Sequence, residues 1–156
     1  MTIIKNNIKG KTPKINRKVK IGIVKSTYNP KITDVLEQSC IKELKKAGVS
    51  AKNIWTLEIP GAYELPFGCQ RLIKSKKVDA VIALGAIIKG QTPHFDFIAK
   101  SASIGIMDVS LKTNIPVIFG VLTTNNISQA KDRIKGGKRG DKGIEAVRAT
   151  LKMLNI

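Results

Sequence analysis

The chain has 156 residues, 28 of them Lys or Arg against 11 Asp or Glu, so with its single His neutral it carries +17. That length suits one domain with a full core, and 42% apolar residues exclude a wholly disordered polyelectrolyte. No apolar run approaches the ~18 residues of a spanning helix, residues 1–10 lack the apolar stretch of a secretory leader, and two cysteines, Cys40 and Cys69, fit a reduced cytoplasmic protein better than a disulfide scaffold.

Two periodicities alternate along the chain. Residues 18–24 carry Val19, Ile21, Ile23 and Val24, a short apolar run of strand length. Asn29-Pro30 reads as an N-cap with Pro at the first helical position. Ile32, Val35, Leu36, Cys40 and Leu44 follow at helical spacing, and Gly48 closes the helix. Residues 54–59 form the next strand, broken by Pro60-Gly61, and residues 63–75 form a helix with Pro66 in its first turn. Residues 80–84 are continuously apolar, the pattern of a strand covered on both faces. A loop over residues 85–94 leads to a helix start at Thr92-Pro93, whose apolar positions repeat down to about Asn114. A strand over 116–122, a helix over 127–134, a basic Gly-rich turn over 135–141 and a helix over 144–154 complete the chain. Residues 1–17 are a basic arm, in which Ile3, Ile4 and Ile8 are the only argument for an extra edge strand.

The order β-α-β-α-β-α-β-α-α, with connections long enough for right-handed crossovers, predicts a mostly parallel four-stranded sheet with helices on both faces. In such sheets ligands bind beyond the carboxyl ends of the strands. The four loops there, residues 26–29, 60–64, 85–94 and 123–126, hold both Tyr residues, an acid, the only His and several hydroxyls, whereas the opposite edge is mostly Lys and turn residues. This asymmetry marks a small-molecule site. His94, just inside a helix start on that edge, can take and return protons near neutral pH. Gln91, Thr92 and the free N–H groups of the same helix start can hold a phosphate, and Arg133 adds charge to an anion. Tyr28 and Phe119 offer faces for a planar ring, and Glu64 an acceptor for hydroxyls. Each of these residues taken alone has an ordinary structural role as well, as cap, core or solvated face.

Several motifs can be set aside. Gly10-Lys11-Thr12 lacks the first Gly of a phosphate loop, since Lys5 stands there. No G-x-G-x-x-G opens a helix. With one His and no Cys pair at ligand spacing, no metal site is expected. The cations are mostly scattered Lys, and aromatics make up only 4% of the chain without interleaving with them, which argues against nucleic-acid binding.

Three segments carry a resemblance along nearly the whole chain: residues 59–66 (IPGAYELP), 85–96 (GAIIKGQTPHFD) and 116–124 (PVIFGVLTT). In this order and spacing the sequence resembles the lumazine synthases, which make 6,7-dimethyl-8-ribityllumazine in the penultimate step of riboflavin biosynthesis. The resemblance implies a flavodoxin-like three-layer α/β/α domain over residues 1–156 and a transferase that needs no metal and no organic cofactor. It implies condensation of 5-amino-6-(D-ribitylamino)uracil with 3,4-dihydroxy-2-butanone 4-phosphate, with release of phosphate and water. The amine of the pyrimidine attacks the ketone, so the protein supplies positioning and proton transfer rather than a nucleophile.

By the same resemblance His94 is the proton shuttle and Tyr28 stacks on the pyrimidine. Ala62, Tyr63 and Glu64 line the ribityl pocket, and Ala86, Ile87 and Ile88 border the ring. Gln91, Thr92 and Arg133 contact the phosphate, and Phe119 comes from a neighbouring subunit, because the family's sites lie between subunits. Thr27 departs from a frequent Arg, Tyr28 from a usual Phe or Trp, and the turn over 135–141 is one residue longer than in the commonest shell-forming pattern. A homo-oligomer is implied, a pentamer favoured over an icosahedral shell because +17 chains repel one another when packed closely. Riboflavin synthase is a further partner the resemblance allows; no membrane is implied. The alternatives are a non-catalytic flavin or lumazine carrier on the same scaffold and a basic RNA-binding module using residues 5–31.

Overall fold

The computed structural model of the protein describes residues 10–156. Its elements are β1 (Ile21–Ser26), α1 (Pro30–Ala47), β2 (Ile54–Ile59), α2 (Leu65–Lys76), β3 (Ala80–Ile88), α3 (His94–Thr113), β4 (Val117–Thr124), α4 (Ile127–Lys131) and α5 (Lys142–Met153). Single 3₁₀ turns at Ala51–Asn53 and Ala62–Glu64 precede β2 and α2. Among the described residues the four strands make one wholly parallel sheet in the order β2-β1-β3-β4, with helices on both faces. The residues argued to form an extra N-terminal strand, Ile3, Ile4 and Ile8, lie outside the described ones. No helix of the described residues is long and apolar enough to cross a membrane.

The burial of β1 and β3 explains the layering. All six residues of β1 and eight of the nine in β3 are buried, so alternate side chains feed two separate cores. Ile21, Ile23, Ile82 and Leu84 pack with Ile32, Leu36 and Leu44 of α1 and Val147 and Leu151 of α5. On the other face, Val24, Val81, Ala83 and Val121 meet Leu65, Cys69 and Leu72 of α2 and Ala102 and Ile106 of α3. Fully burying one such aliphatic side chain contributes roughly 1.5–3 kcal/mol. Gly105 lets α3 close on α2: a Cβ there would stand 2.5 Å from a ring carbon of Pro66.

Helix ends follow their local chemistry. Pro30 occupies the first turn of α1, and Gly48 ends it in the left-handed region at φ 107°. Lys77 and Asn114, also left-handed, end α2 and α3 at the same edge of the sheet. The Asp141 carboxylate accepts the N–H groups of Gly143 and Ile144 to cap α5. Residues 10–17 pack back on α1 and α5. Ile15 is buried with its N–H on the Ala47 carbonyl at 3.0 Å, Thr12 donates its hydroxyl to Glu43, and Arg17 donates to the Leu154 carbonyl at 2.8 Å.

Several boundaries differ from those read in the sequence. β1 starts at Ile21 rather than residue 18, although Val19 is buried. β3 runs to Ile88 and β4 to Thr124, because their mutual pairing continues from Val81↔Val117 to Ile88↔Thr124; residues 85–88 are therefore strand, not loop. The helix over 127–134 stops at Lys131, and the predicted helix over 63–75 begins as a 3₁₀ turn, becoming α-helical at Leu65.

Candidate active site

The strand order places a topological switch point between β1 and β3: the chain leaves β1 for β2 on one side and later returns to β3 on the other. Connections diverge there, leaving a crevice at the carboxyl ends of the two strands. A cleft of about 560 Å³ occupies that position, lined by Tyr28, Ala62, Tyr63, Glu64, Ala86, Ile87, Ile88, Thr92 and His94 together with Gly61, Gly90, Phe95 and Ile98. The volume is within the range of small-molecule sites.

Each wall has a definite origin. Tyr28 follows β1 and is 71% exposed, with its N–H on the Pro60 carbonyl at 3.1 Å and on the Ser26 hydroxyl at 3.2 Å. Thr27 donates its N–H to Ile59 at 2.8 Å, so β2 and the residues after it hold this loop through the backbone. Glu64 accepts the Gly61 N–H at 3.0 Å, which fixes one carboxylate oxygen on its own turn. The end of β3 supplies Ala86, Ile87 and Ile88. His94 is the first residue of α3, exposed, and its N–H meets the Thr92 hydroxyl at 3.4 Å. Nine of the twelve residues named from the sequence thus share one cleft. Gln91 is exposed and is not among its lining residues.

Phe119 and Arg133 stand elsewhere in the chain. They line a second cleft of about 320 Å³ between β4 and α5, with Leu122, Thr123, Lys142 and Glu145. Phe119 is 43% exposed on β4. Arg133 sits just past α4, where one guanidinium nitrogen donates to the Gln129 carbonyl at 2.8 Å and its own carbonyl accepts the Lys142 N–H at 2.9 Å. Lys142 Nζ pairs with Glu145 at 2.8 Å. Lys142 and Glu145 were not singled out as site residues in the sequence: one Lys among many, three residues before a Glu on a helix, reads as an ordinary surface pair. The two cavities share no lining residue.

One buried charge stands outside both clefts. Lys25, near the end of β1, is 5% exposed, and its ammonium donates to Asp34 at 2.7 Å, Glu37 at 2.9 Å and Glu58 at 2.9 Å. Burial pulls its pKa down, but the hydrogen bonds to the three carboxylates outweigh that and hold it above the ordinary lysine value. Both thiols are buried; burial raises that of Cys40 and pushes that of Cys69 up to about 12. Neither serves as a ready nucleophile.

A family model described as 6,7-dimethyl-8-ribityllumazine synthase matches residues 18–156. A protein of that name from Cytophaga hutchinsonii is 50% identical over 145 residues, 93% of this chain and 90% of the relative. Another from Campylobacter hominis is 45% identical over 151 residues, 97% of this chain and 96% of its own length. A third, from Protochlamydia amoebophila, is 44% identical over 139 residues, 89% of this chain and 80% of the relative. With the fold and the cleft at its switch point, these matches establish that the chain belongs to the 6,7-dimethyl-8-ribityllumazine synthase family.

Proposed function

We propose that the chain, acting as one domain per subunit, condenses 5-amino-6-(D-ribitylamino)uracil with 3,4-dihydroxy-2-butanone 4-phosphate, giving 6,7-dimethyl-8-ribityllumazine, phosphate and water. The observation that carries this reading is the convergence of Tyr28, Glu64, the end of β3 and His94 on one cleft. Tyr28 supplies the face for the pyrimidine. Glu64 keeps an oxygen for ribityl hydroxyls, since only its Oε2 is bound to Gly61. Gln91, Thr92 and the first N–H groups of α3 receive the phosphate of the second substrate. The pyrimidine amine adds to the ketone carbonyl and water leaves to form an imine; elimination then expels phosphate, and ring closure by the second nitrogen releases more water. Each step moves a proton at a nitrogen or oxygen near the mouth of the cleft, the work of His94.

A single chain does not complete this site. The cationic side chain best suited to a phosphate, Arg133, and the ring of Phe119 line a different cavity. A neighbouring copy that brings its β4–α5 cleft against the β1–β3 cleft joins the two halves. The surface available for such contact is large and apolar: Phe97 is 69% exposed and Leu111 74%, with Ile104 and Met107 between them on α3. The net charge of +17 favours a pentamer over a closed shell, in which counterions would have to offset concentrated like charge.

The test is to mix both substrates with the protein in buffer of moderate ionic strength. Fluorescent lumazine is expected to form faster than in the protein-free control, from particles of pentamer mass by light scattering. Product at the uncatalysed rate with tight binding of lumazine would instead identify a carrier.

A further inference from the structure

Resting on that reading, we infer that Asn29 is a positioning residue for the pyrimidine substrate, setting the gap between the Tyr28 ring and the wall made by the end of β3. β1 pairs with β3 only as far as Lys25↔Leu84, although β3 continues to Ile88 against β4. Past Leu84, no strand among the described residues lies beside the edge of β3 that β1 leaves, and a buried carbonyl there needs another donor. Asn29 provides one: its Nδ2 donates to the Ala86 carbonyl at 2.8 Å. A carbonyl only accepts, so it is the amide nitrogen that faces it. Asn29 therefore stands where the next amide of β1 would be, and Ala86 is itself part of the cleft wall.

Two further features separate this role from that of an ordinary helix cap. Asn at an N-cap normally accepts an N–H of the first helical turn through its side chain. Asn29 makes no such bond; its main-chain carbonyl alone receives Ile32 and Thr33, at 3.0 and 3.1 Å. Its backbone also lies in the left-handed region at φ 59°, ψ 55°, which Asn tolerates better than other residues with a Cβ. Conformation and amide together turn the chain so that Tyr28 faces the cleft while the next residue grips β3. The Tyr28 loop is held towards β2 by backbone hydrogen bonds from Thr27 and Tyr28, which any sequence can make. Towards β3, among the described residues, the hydrogen bond that holds it comes from a side chain, that of Asn29.

The experiment compares the full-length protein with Asn29→Gly and Asn29→Asp. Gly keeps the left-handed backbone without the amide; Asp keeps the shape but presents a carboxylate that repels the Ala86 carbonyl. Affinity for 5-amino-6-(D-ribitylamino)uracil alone is measured by calorimetry, and both KM values and kcat by lumazine fluorescence. We expect Kd and KM for the pyrimidine to rise about tenfold in both variants, with KM for the ketone phosphate and saturated kcat within about twofold of the parent. Should Asp fail to fold, Gly alone carries the comparison. Unchanged pyrimidine affinity overturns the inference, as does a uniform loss of both affinities and kcat alongside a lowered melting temperature, which marks a merely structural residue. A parent protein that binds pyrimidine but yields no lumazine defeats the functional reading and leaves the affinity comparison to decide the role of Asn29; a parent that does not bind pyrimidine defeats both.

Discussion

On the proposed function, the cleft at the ends of β1 and β3 and the cleft between β4 and α5 divide one set of chemical tasks between them. The first holds an exposed ring, an imidazole, a carboxylate and an apolar floor, and at about 560 Å³ it has room for a small molecule. The second is smaller, about 320 Å³, and holds Arg133 and Lys142 beside the exposed ring of Phe119. One is suited to stacking and proton transfer, the other to neutralising an anion. On that proposed function, their separation in a single chain makes the catalytic unit larger than the folding unit: each chain is built around two cores and carries two half-sites.

Ways to break that division differ in size. The largest effect is expected from His94→Ala, which should lower kcat by about 10²–10⁴-fold, the usual contribution of a positioned acid–base group, with pyrimidine binding retained in calorimetry. Loss of binding together with rate would mean that His94 holds the structure rather than moving protons. Leu111→Lys attacks assembly instead. Placing a charge on the exposed face of α3 should disperse the oligomer in light scattering and lower the rate by at least about tenfold, because dispersed chains have only half-sites. A dispersed variant with full rate would show that one chain suffices. Arg133→Met should raise KM for the ketone phosphate by about 10–100-fold, the cost of one charge-assisted contact, and leave pyrimidine affinity within about twofold. The smallest effect concerns stability. Lys25→Met leaves Asp34, Glu37 and Glu58 without their shared cation. It should cost about 1–2 kcal/mol at pH 7, discounted because Asp34 and Glu58 are about half exposed or more. The Lys25 pKa is raised in the fold, so its contribution is complete below about 10.5, the ordinary lysine value, and is lost as the pH climbs through the higher folded value. The melting-temperature gap between parent and variant should therefore persist to about pH 10 and narrow only above it. A gap that closes between pH 7 and 10 would contradict the pairing.

The alternation of strand and helix was legible in the sequence because two cores, one on each face of the sheet, demand continuous apolar runs in β1 and β3 and one-sided periodicity in α1, α2 and α5. The end of β3 was not. Gly85 reads as a stop, but it sits inside the strand with the side chains of Leu65 and Val121 close to where a Cβ would be, and pairing with β4 carries the strand on to Ile88. Lys25 reads as one more surface cation; its burial depends on carboxylates 9, 12 and 33 residues away converging from α1 and β2, which no local pattern reveals. Asn29 reads correctly as the residue before a helix, while the turn of its amide towards β3 is set by where β1 pairing ends. Nine of the twelve candidate residues fall in one cleft, because residues at the carboxyl ends of parallel strands share one edge. Which of them share a cleft was beyond the sequence: periodicity gives order along the chain and says nothing of the lateral distance from the β1–β3 crevice to the flank of β4.

The division of the site is tested most directly by pairing two impaired proteins, assayed with the ketone phosphate well below the KM of Arg133→Met. His94→Ala and Arg133→Met chains are co-expressed and purified as mixed oligomers, and lumazine formation is compared with each variant alone. If His94 and Arg133 act from adjacent subunits, about a quarter of the sites in a random equal mixture combine two intact halves, and activity returns to roughly that fraction of the parent rate. If both residues serve a site within one chain, every site lacks one of them, and the mixture does no better than the average of its components.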